Sequence, residues 1–263
     1  MYYDLSSNRY ATSPIAAAWS GDPAPAASTP WPKAARTAIR TPLFSIRARL
    51  GIAVRATGIR AALLHGSRIE WRGAADFDAP AQLSEALRAA LADLPSHRVR
   101  PRVVVALGPR WAMIRRVLAL APTDATRAAT AVIRCNPRAF FHHRSPLLIA
   151  DTARGIDGAV WCAALEQAVV GHTIAALAER GLRLYAATTS IAAVAHGRTG
   201  AWSIVDGSDA LVVESVRGRL RAIRHVDPLA ARAVGDGFSE ACDAARWTGS
   251  TFTWRPHRGA PLR

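Results

Sequence analysis

Residues 201–226 read AWSIVDGSDALVVESVRGRLRAIRHV. Trp202 to Val205 is an apolar run, Ser208 to Val216 carries Leu211, Val212, Val213 and Val216, and Leu220 to Val226 alternates apolar and basic side chains. Asp206-Gly207 and Arg217-Gly218 punctuate the runs. Gly supplies the positive φ that tight hairpin turns require, so the stretch predicts a three-stranded antiparallel meander. The first turn carries the chemical interest. A buried strand ending in Asp-Gly presents a carboxylate and backbone N–H groups at its tip, which is one way a sheet holds a phosphate or its metal ion. The same dipeptide is also an ordinary hairpin turn, and the residues alone leave both readings open.

An earlier stretch, LGIAVRATGIRAALLHGSRIEW at residues 50–71, has the same pattern. A gapless slide sets Ile52 on Ile204, Ile59 on Leu211 and Gly66 on Gly218, and a helical pattern follows each copy. Two strand-strand-strand-helix units predict a duplicated α/β fold with a cleft between the halves.

Around these repeats, Met1 to Thr41 is broken by Pro14, Pro23, Pro25, Pro30 and Pro32 and reads as a flexible Pro/Ala-rich leader, residues 1–42. Residues 43–200 read as the first half with an inserted strand-helix subdomain, and 201–263 as a shortened second half. Within the first half, Asp78 and Pro80 open a helix whose stripe is Leu83, Leu87, Ala90, Leu91 and Leu94. Val103–Leu107 is a strand, and Gly108-Pro109 turns it into Ala112–Leu120. A helix capped at Pro122-Thr123-Asp124 runs to about Ile133 and stops at Asn136-Pro137. Two strands follow, joined through Gly155 to Gly158, then a helix from Glu166 to Arg180 with Gly181 as its C′ residue. Leu182–Ala186 is a strand, and Thr189 or Ser190 caps a short helix to His196. Beyond the second meander, Asp227-Pro228 opens a helix to about Arg246 interrupted by Gly235 and Gly237, Thr251–Trp254 is a last short strand, and Pro256–Arg263 is a frayed end.

The chain has 263 residues, of which 50% are hydrophobic, enough for a sizeable core. Its formal charge is +15. Lys33 is the only lysine, the arginines are spread along the whole length, and no basic cluster interleaved with aromatics marks a nucleic-acid face. The charge remains compatible with an acidic partner or membrane surface. Cys135, Cys162 and Cys242 are odd in number and far apart, which excludes a disulfide framework or a CxxC zinc site and points to a reducing compartment. No stretch approaches the about 20 apolar residues of a membrane span.

Other candidate constellations have plain readings. His142-His143 with Asp151 could ligate a metal, but adjacent histidines in an extended chain point to opposite sides. Cys162 sits inside a predicted strand, as a small buried hydrophobe does. Glu166 and Asp151 are not brought together by anything in the sequence. Trp71, Trp111, Trp161 and Trp202 fall in predicted strands and read as core. A Walker-type loop and a Gly-x-Ser-x-Gly elbow are both missing.

The order of elements resembles the actin-like ATPase superfamily and, within it, the PilM proteins of type IV pilus assembly and the cytoplasmic domain of the type II secretion protein GspL. Leu50–Leu63 looks like the family's opening LGIDIGSSSVKAVLL. RVVVALGPRWAMIRRVLAL at residues 102–120 looks like its strand-turn-strand ALPGSSVIVRRIEL. Ala163–Val194 looks like its helix, break, strand and helix, and Val205-Asp206-Gly207 stands where its second phosphate loop, VDIGxxxT, begins. The resemblance implies an actin-like, ribonuclease H-like duplicated fold. It also implies a cytoplasmic protein at the inner face of the inner membrane that docks the N-terminal cytoplasmic segment of a bitopic assembly protein. Against the family pattern, Ala53 replaces the first loop's Asp and Arg55 its close-approach Gly. A phosphate loop needs Gly because backbone must come within hydrogen-bonding distance of the oxygens, and needs the carboxylate to orient metal-bound water. Asp206 and Gly207 therefore read as a vestigial phosphate loop, no cofactor is expected, and the expected role is a non-enzymatic scaffold. The alternatives are an ATP-binding member using Mg-ATP through Asp206-Gly207 and a sugar or acetate kinase relative, for which a catalytic base is lacking.

Overall fold

The computed structural model describes residues 48–95, 100–117, 125–196, 198–227, 238–249 and 252–256. The proline-rich leader, the cap at Pro122 to Asp124, the stretch from Pro228 to Gly237 and the tail after Pro256 lie outside these residues.

The first meander forms as β1 (Arg49–Val54), β2 (Gly58–His65) and β3 (Arg68–Asp76), all antiparallel neighbours. A 3-10 turn at Pro80–Gln82 leads into α1 (Leu83–Ala90). The N-cap is Ala79 rather than Asp78: Gln82 Oε1 reaches back to accept from the Asp78 and Ala79 N–H groups, a role its longer amide can fill. Next come β4 (Arg102–Leu107) and β5 (Ala112–Val117). The inserted subdomain then places α2 (Ala125–Cys135) and α3 (Pro137–Phe140) before β6 (Leu147–Ile149), β7 (Ala153–Arg154) and β8 (Val160–Glu166). The chain returns through α4 (Gln167–Glu179), β9 (Leu184–Thr189) and α5 (Ser190–Ala195), the last capped by Thr189 accepting from the Ala192 N–H. The second meander is β10 (Gly200–Asp206), β11 (Asp209–Val216) and β12 (Arg219–His225), and α6 (Phe238–Arg246) follows.

The main sheet has the order β3-β2-β1-β4-β9. β4 runs parallel to β1, and β9 parallel to β4. An antiparallel meander extended by parallel strands in this order is the ribonuclease H-like half that actin-like folds duplicate. α1 and α4 cover one face over Leu50, Ile52, Val54 and Leu63. α6 covers the other face, and it does so at Gly51: a Cβ there would stand 1.8 Å from the Ala241 carbonyl oxygen, so only Gly admits the helix backbone. Apart from β7, which also pairs with β8, the inserted subdomain carries β5-β8-β6, and β10-β11-β12 is a separate three-stranded sheet.

The two meanders share their registers. Val54↔Ile59 recurs as Val205↔Ala210, Leu63↔Trp71 as Glu214↔Ala222, and His65↔Arg68 as Val216↔Arg219. Both outer strands also carry a bulge at the same place, Glu70 opposite Leu63/Leu64 and Arg221 opposite Glu214/Ser215. These pairings correct the gapless slide by one residue: Ile52 is equivalent to Ser203 and Ala53 to Ile204, although Ile52 and Ile204 are both buried as expected. A one-residue offset exchanges the faces of a strand. The slide matched apolar to apolar and so aligned positions that face opposite sides. Trp111 is a second correction. It lies in the turn before β5, outside any strand.

Candidate functional site: the closed loop junction

Three turns converge at the carboxyl ends of β1 and β4, where open α/β sheets place their ligands. The β1–β2 turn holds Arg55 and Ala56; the β4–β5 turn holds Gly108, Arg110 and Trp111; the β10–β11 turn holds Asp206 and Gly207. The equivalent registers put Arg55 and Asp206 at corresponding positions in the two halves, with opposite charges.

Asp206 is 2% exposed. Its Oδ1 accepts from the Ala56 N–H at 2.6 Å and lies 3.9 Å from Arg55 Nε. The Arg55 guanidinium also donates to the Val205 carbonyl. Behind it, Trp111 Nε1 donates to the Arg55 carbonyl at 2.9 Å, and the Gly108 N–H donates to the Val54 carbonyl at 2.8 Å. The tips of the two halves are thereby joined directly. Gly108 and Gly207 make the approach possible: a Cβ on Gly108 would stand 2.2 Å from Asp206 Oδ2, and Gly207, at φ +65°, sits where a Cβ would be 3.0 Å from that of Ala56. Asp206 Oδ2 makes no well-formed hydrogen bond among the described residues.

Burial pushes the Asp206 carboxyl above its ordinary value, opposed by the Ala56 N–H, the Arg55 charge and the Arg110 N–H. Contact with the facing loop offsets part of the cost of burying the carboxylate, which is turned away from open space. The residues present do not fit a magnesium-bound triphosphate. Arg55 and Ala56 lie directly against Val205 and Asp206 across the junction, and Asp206 fills the space beside Gly108.

The sequence singled out Asp206 and Gly207, and the fold brings both to the junction. It missed Ala56 and Gly108 as their neighbours and Trp111 as the partner of Arg55; the one available signal was Gly108-Pro109 directly after a buried parallel strand. The other candidates are elsewhere. Asp151 pairs with Arg134 at 3.0 Å, and the His143 ring accepts from the Ser145 N–H at 3.3 Å. Among the described residues no group of three His, Cys, Asp or Glu side chains could hold a metal. Burial pushes the Cys162 thiol up to about 12, which suits a core residue and not a nucleophile.

The sheet order and the paired loop tips define the class: an α/β fold whose main sheet has ribonuclease H-like order and whose strand meander recurs in a second sheet. No protein-family model matches the chain, and no curated protein is significantly similar to it. Among solved structures, the chain is similar to a PilM–PilN type IV pilus biogenesis complex, at 17% identity and TM-score 0.49 over 68% of this chain and 61% of that one. It is similar to the cytoplasmic domain of EpsL, an inner-membrane component of the type II secretion system of Vibrio cholerae, at 14% identity and TM-score 0.47 over 68% and 71%. A third similarity, at 10% identity and TM-score 0.42 over 70% and 71%, is to a Bacteroides thetaiotaomicron protein of actin-like ATPase fold and unknown function. The chain spans about three fifths, 61%, of the chain it matches in that complex. Among the described residues no helix is long and apolar enough to cross a membrane.

Proposed function

We propose that the protein is a non-enzymatic scaffold at the inner face of the inner membrane, docking the N-terminal cytoplasmic segment of a bitopic membrane protein during assembly of a type IV pilus or a type II secretion-like platform. The observation that carries this reading is the contact of Asp206 with the Ala56 N–H and Arg55. A fold that uses two facing loops to hold a nucleotide has here turned them on each other, and the retained carboxylate serves the junction. The system and the partner rest on the resemblance of residues 50–63, 102–120 and 163–194 to the PilM and GspL families.

For the docking itself, a cavity of about 520 Å³ opens beside the short strand β6, lined by Arg134, Leu147, Asp151, Trp254 and Arg255 among others. Its walls combine apolar Leu147 and Trp254 with charges of both signs, which suits a short peptide held through its side chains. Fluorescence anisotropy tests the proposal with a labelled peptide from the cytoplasmic leader of the bitopic membrane protein encoded beside this one. Saturable binding that is indifferent to Mg-ATP and to Asp206→Ala is expected. Binding that requires Mg-ATP, or no binding to any such leader, contradicts it. One observation favours the alternative of nucleotide binding, namely the buried Asp206 Oδ2 that makes no well-formed hydrogen bond.

A further inference from the structure

Every sheet edge among the described strands is guarded except one. β3 carries Arg68, Glu70, Arg72 and Asp76 and is bulged against β2. β12 carries Arg219, Arg221 and Arg224, and β5 carries Arg115 and Arg116. β9 is covered where Ala187 and Trp254 exchange two main-chain hydrogen bonds of 2.9 Å. β6 has three residues and β7 two. Charges, bulges, covers and short length are the devices that keep edges from pairing with another chain. β10 has none of them from Gly200 to Ile204, and Arg55 meets its edge only at the Val205 carbonyl. Its seven residues, GAWSIVD, contain no proline and no charge before Asp206, and β11 is its sole partner strand. In the first half the equivalent strand β1 is flanked on that side by β4.

The edge is also self-complementary. In a two-residue hairpin the closing pair, here Asp206 and Asp209, exchanges its hydrogen bonds. Ile204 and Trp202 therefore face β11 with their main chain, and Ala201, Ser203 and Val205 present theirs outward. We propose that β10 pairs antiparallel with β10 of a second copy of this chain across a two-fold axis at Ser203, joining two three-stranded sheets into one of six. In that register Ser203 faces its own copy, and Ala201 faces Val205. Trp202 faces Ile204, an aromatic–β-branched cross-strand pair of the kind that stabilises sheets. Asp206 falls opposite Gly200, so no like charges meet. The Val205 carbonyl already accepts from Arg55, and a carbonyl oxygen has a second lone pair.

The interface is isologous, so one residue placed on the axis reports on it twice. Facing residues of a hydrogen-bonded antiparallel pair have Cα atoms about 5.5 Å apart, within the about 4.4–6.8 Å that a disulfide spans. In a Cys135→Ser background, which removes the exposed native thiol, Ser203→Cys should give a cross-linked dimer under mild oxidation, and Arg221→Cys on guarded β12 should not. Sedimentation of the full chain from micromolar to submillimolar concentration should show growth towards twice the chain mass of 28.1 kDa. Ser203→Arg should abolish that growth with an unchanged thermal midpoint. A chain that stays monomeric throughout, or a dimer that survives Ser203→Arg and leaves Ser203→Cys unlinked, overturns the proposal.

Discussion

At Leu63 the first meander carries a side chain wholly enclosed under α1 and α4, and at the equivalent place in the second stands Glu214, paired with Arg224 at 3.2 Å. The contrast runs along the whole face. Leu50, Ile52 and Val54 are fully buried, and their counterparts are exposed Ala201 and half-buried Ser203 and Val205. On the opposite face the sizes reverse. Gly51 and Ala53 make room for the backbone of α6, whereas Trp202 and Ile204 fill the equivalent space against the cluster around α5. One backbone plan, held to the same registers and the same bulge, has been supplied with two inside-out patterns of side chains. The reason is the helices. α1 stays on the sheet it follows, whereas α6, which follows the second meander, packs on β1, β2 and β4 of the first.

That comparison can be broken most forcefully at Gly51. Gly51→Val should remove cooperative unfolding, or cost more than the about 1–3 kcal/mol usual for overpacking, because its Cβ would meet helix backbone and not a side-chain end that can move. Urea denaturation followed by circular dichroism measures it. Leu63→Ala in the same assay should cost about 2–5 kcal/mol as a buried truncation.

A smaller effect is expected where the halves meet. Asp206→Ala leaves the Ala56 N–H without its acceptor and should cost about 1–3 kcal/mol. The pH dependence has a definite sign. Burial raises the folded-state pKa of Asp206 above its unfolded value, so its contribution to stability is full below the ordinary carboxylate pKa and is lost as the pH rises through the raised one. Asp206→Asn should flatten that part of the stability profile relative to the native chain. A native chain that loses stability relative to Asp206→Asn as the pH falls through the carboxylate range would have the wrong sign. The smallest change belongs to Glu214→Ala, expected within about 0.5 kcal/mol because an exposed ion pair contributes little. If it matches Leu63→Ala, the open face of the second meander is covered after all.

Both meanders, the parallel strand between them and the helix ends at Thr189 and Gly181 are legible in the sequence, because alternation, Gly turns and caps are local signals. The equivalence of the meanders is legible only to within one residue. Similar side chains mark similar burial and not similar position, and here the large apolar side chains of β1 and β10 stand on opposite faces. The junction is half legible. Asp206-Gly207 announces itself as a strand-tip dipeptide, but its acceptor role depends on the Ala56 N–H and on Gly108, which are brought near it by the docking of two sheets. Nothing at Ala56 in the sequence marks a backbone donor, since any residue but proline supplies one.

The proposal that the loop junction stands in the place of a nucleotide is tested most directly by isothermal titration calorimetry with Mg-ATP. The account predicts no saturable heat in the micromolar range, the range that corresponds to about −8 kcal/mol of binding free energy. A micromolar dissociation constant that disappears in Asp206→Ala would contradict it.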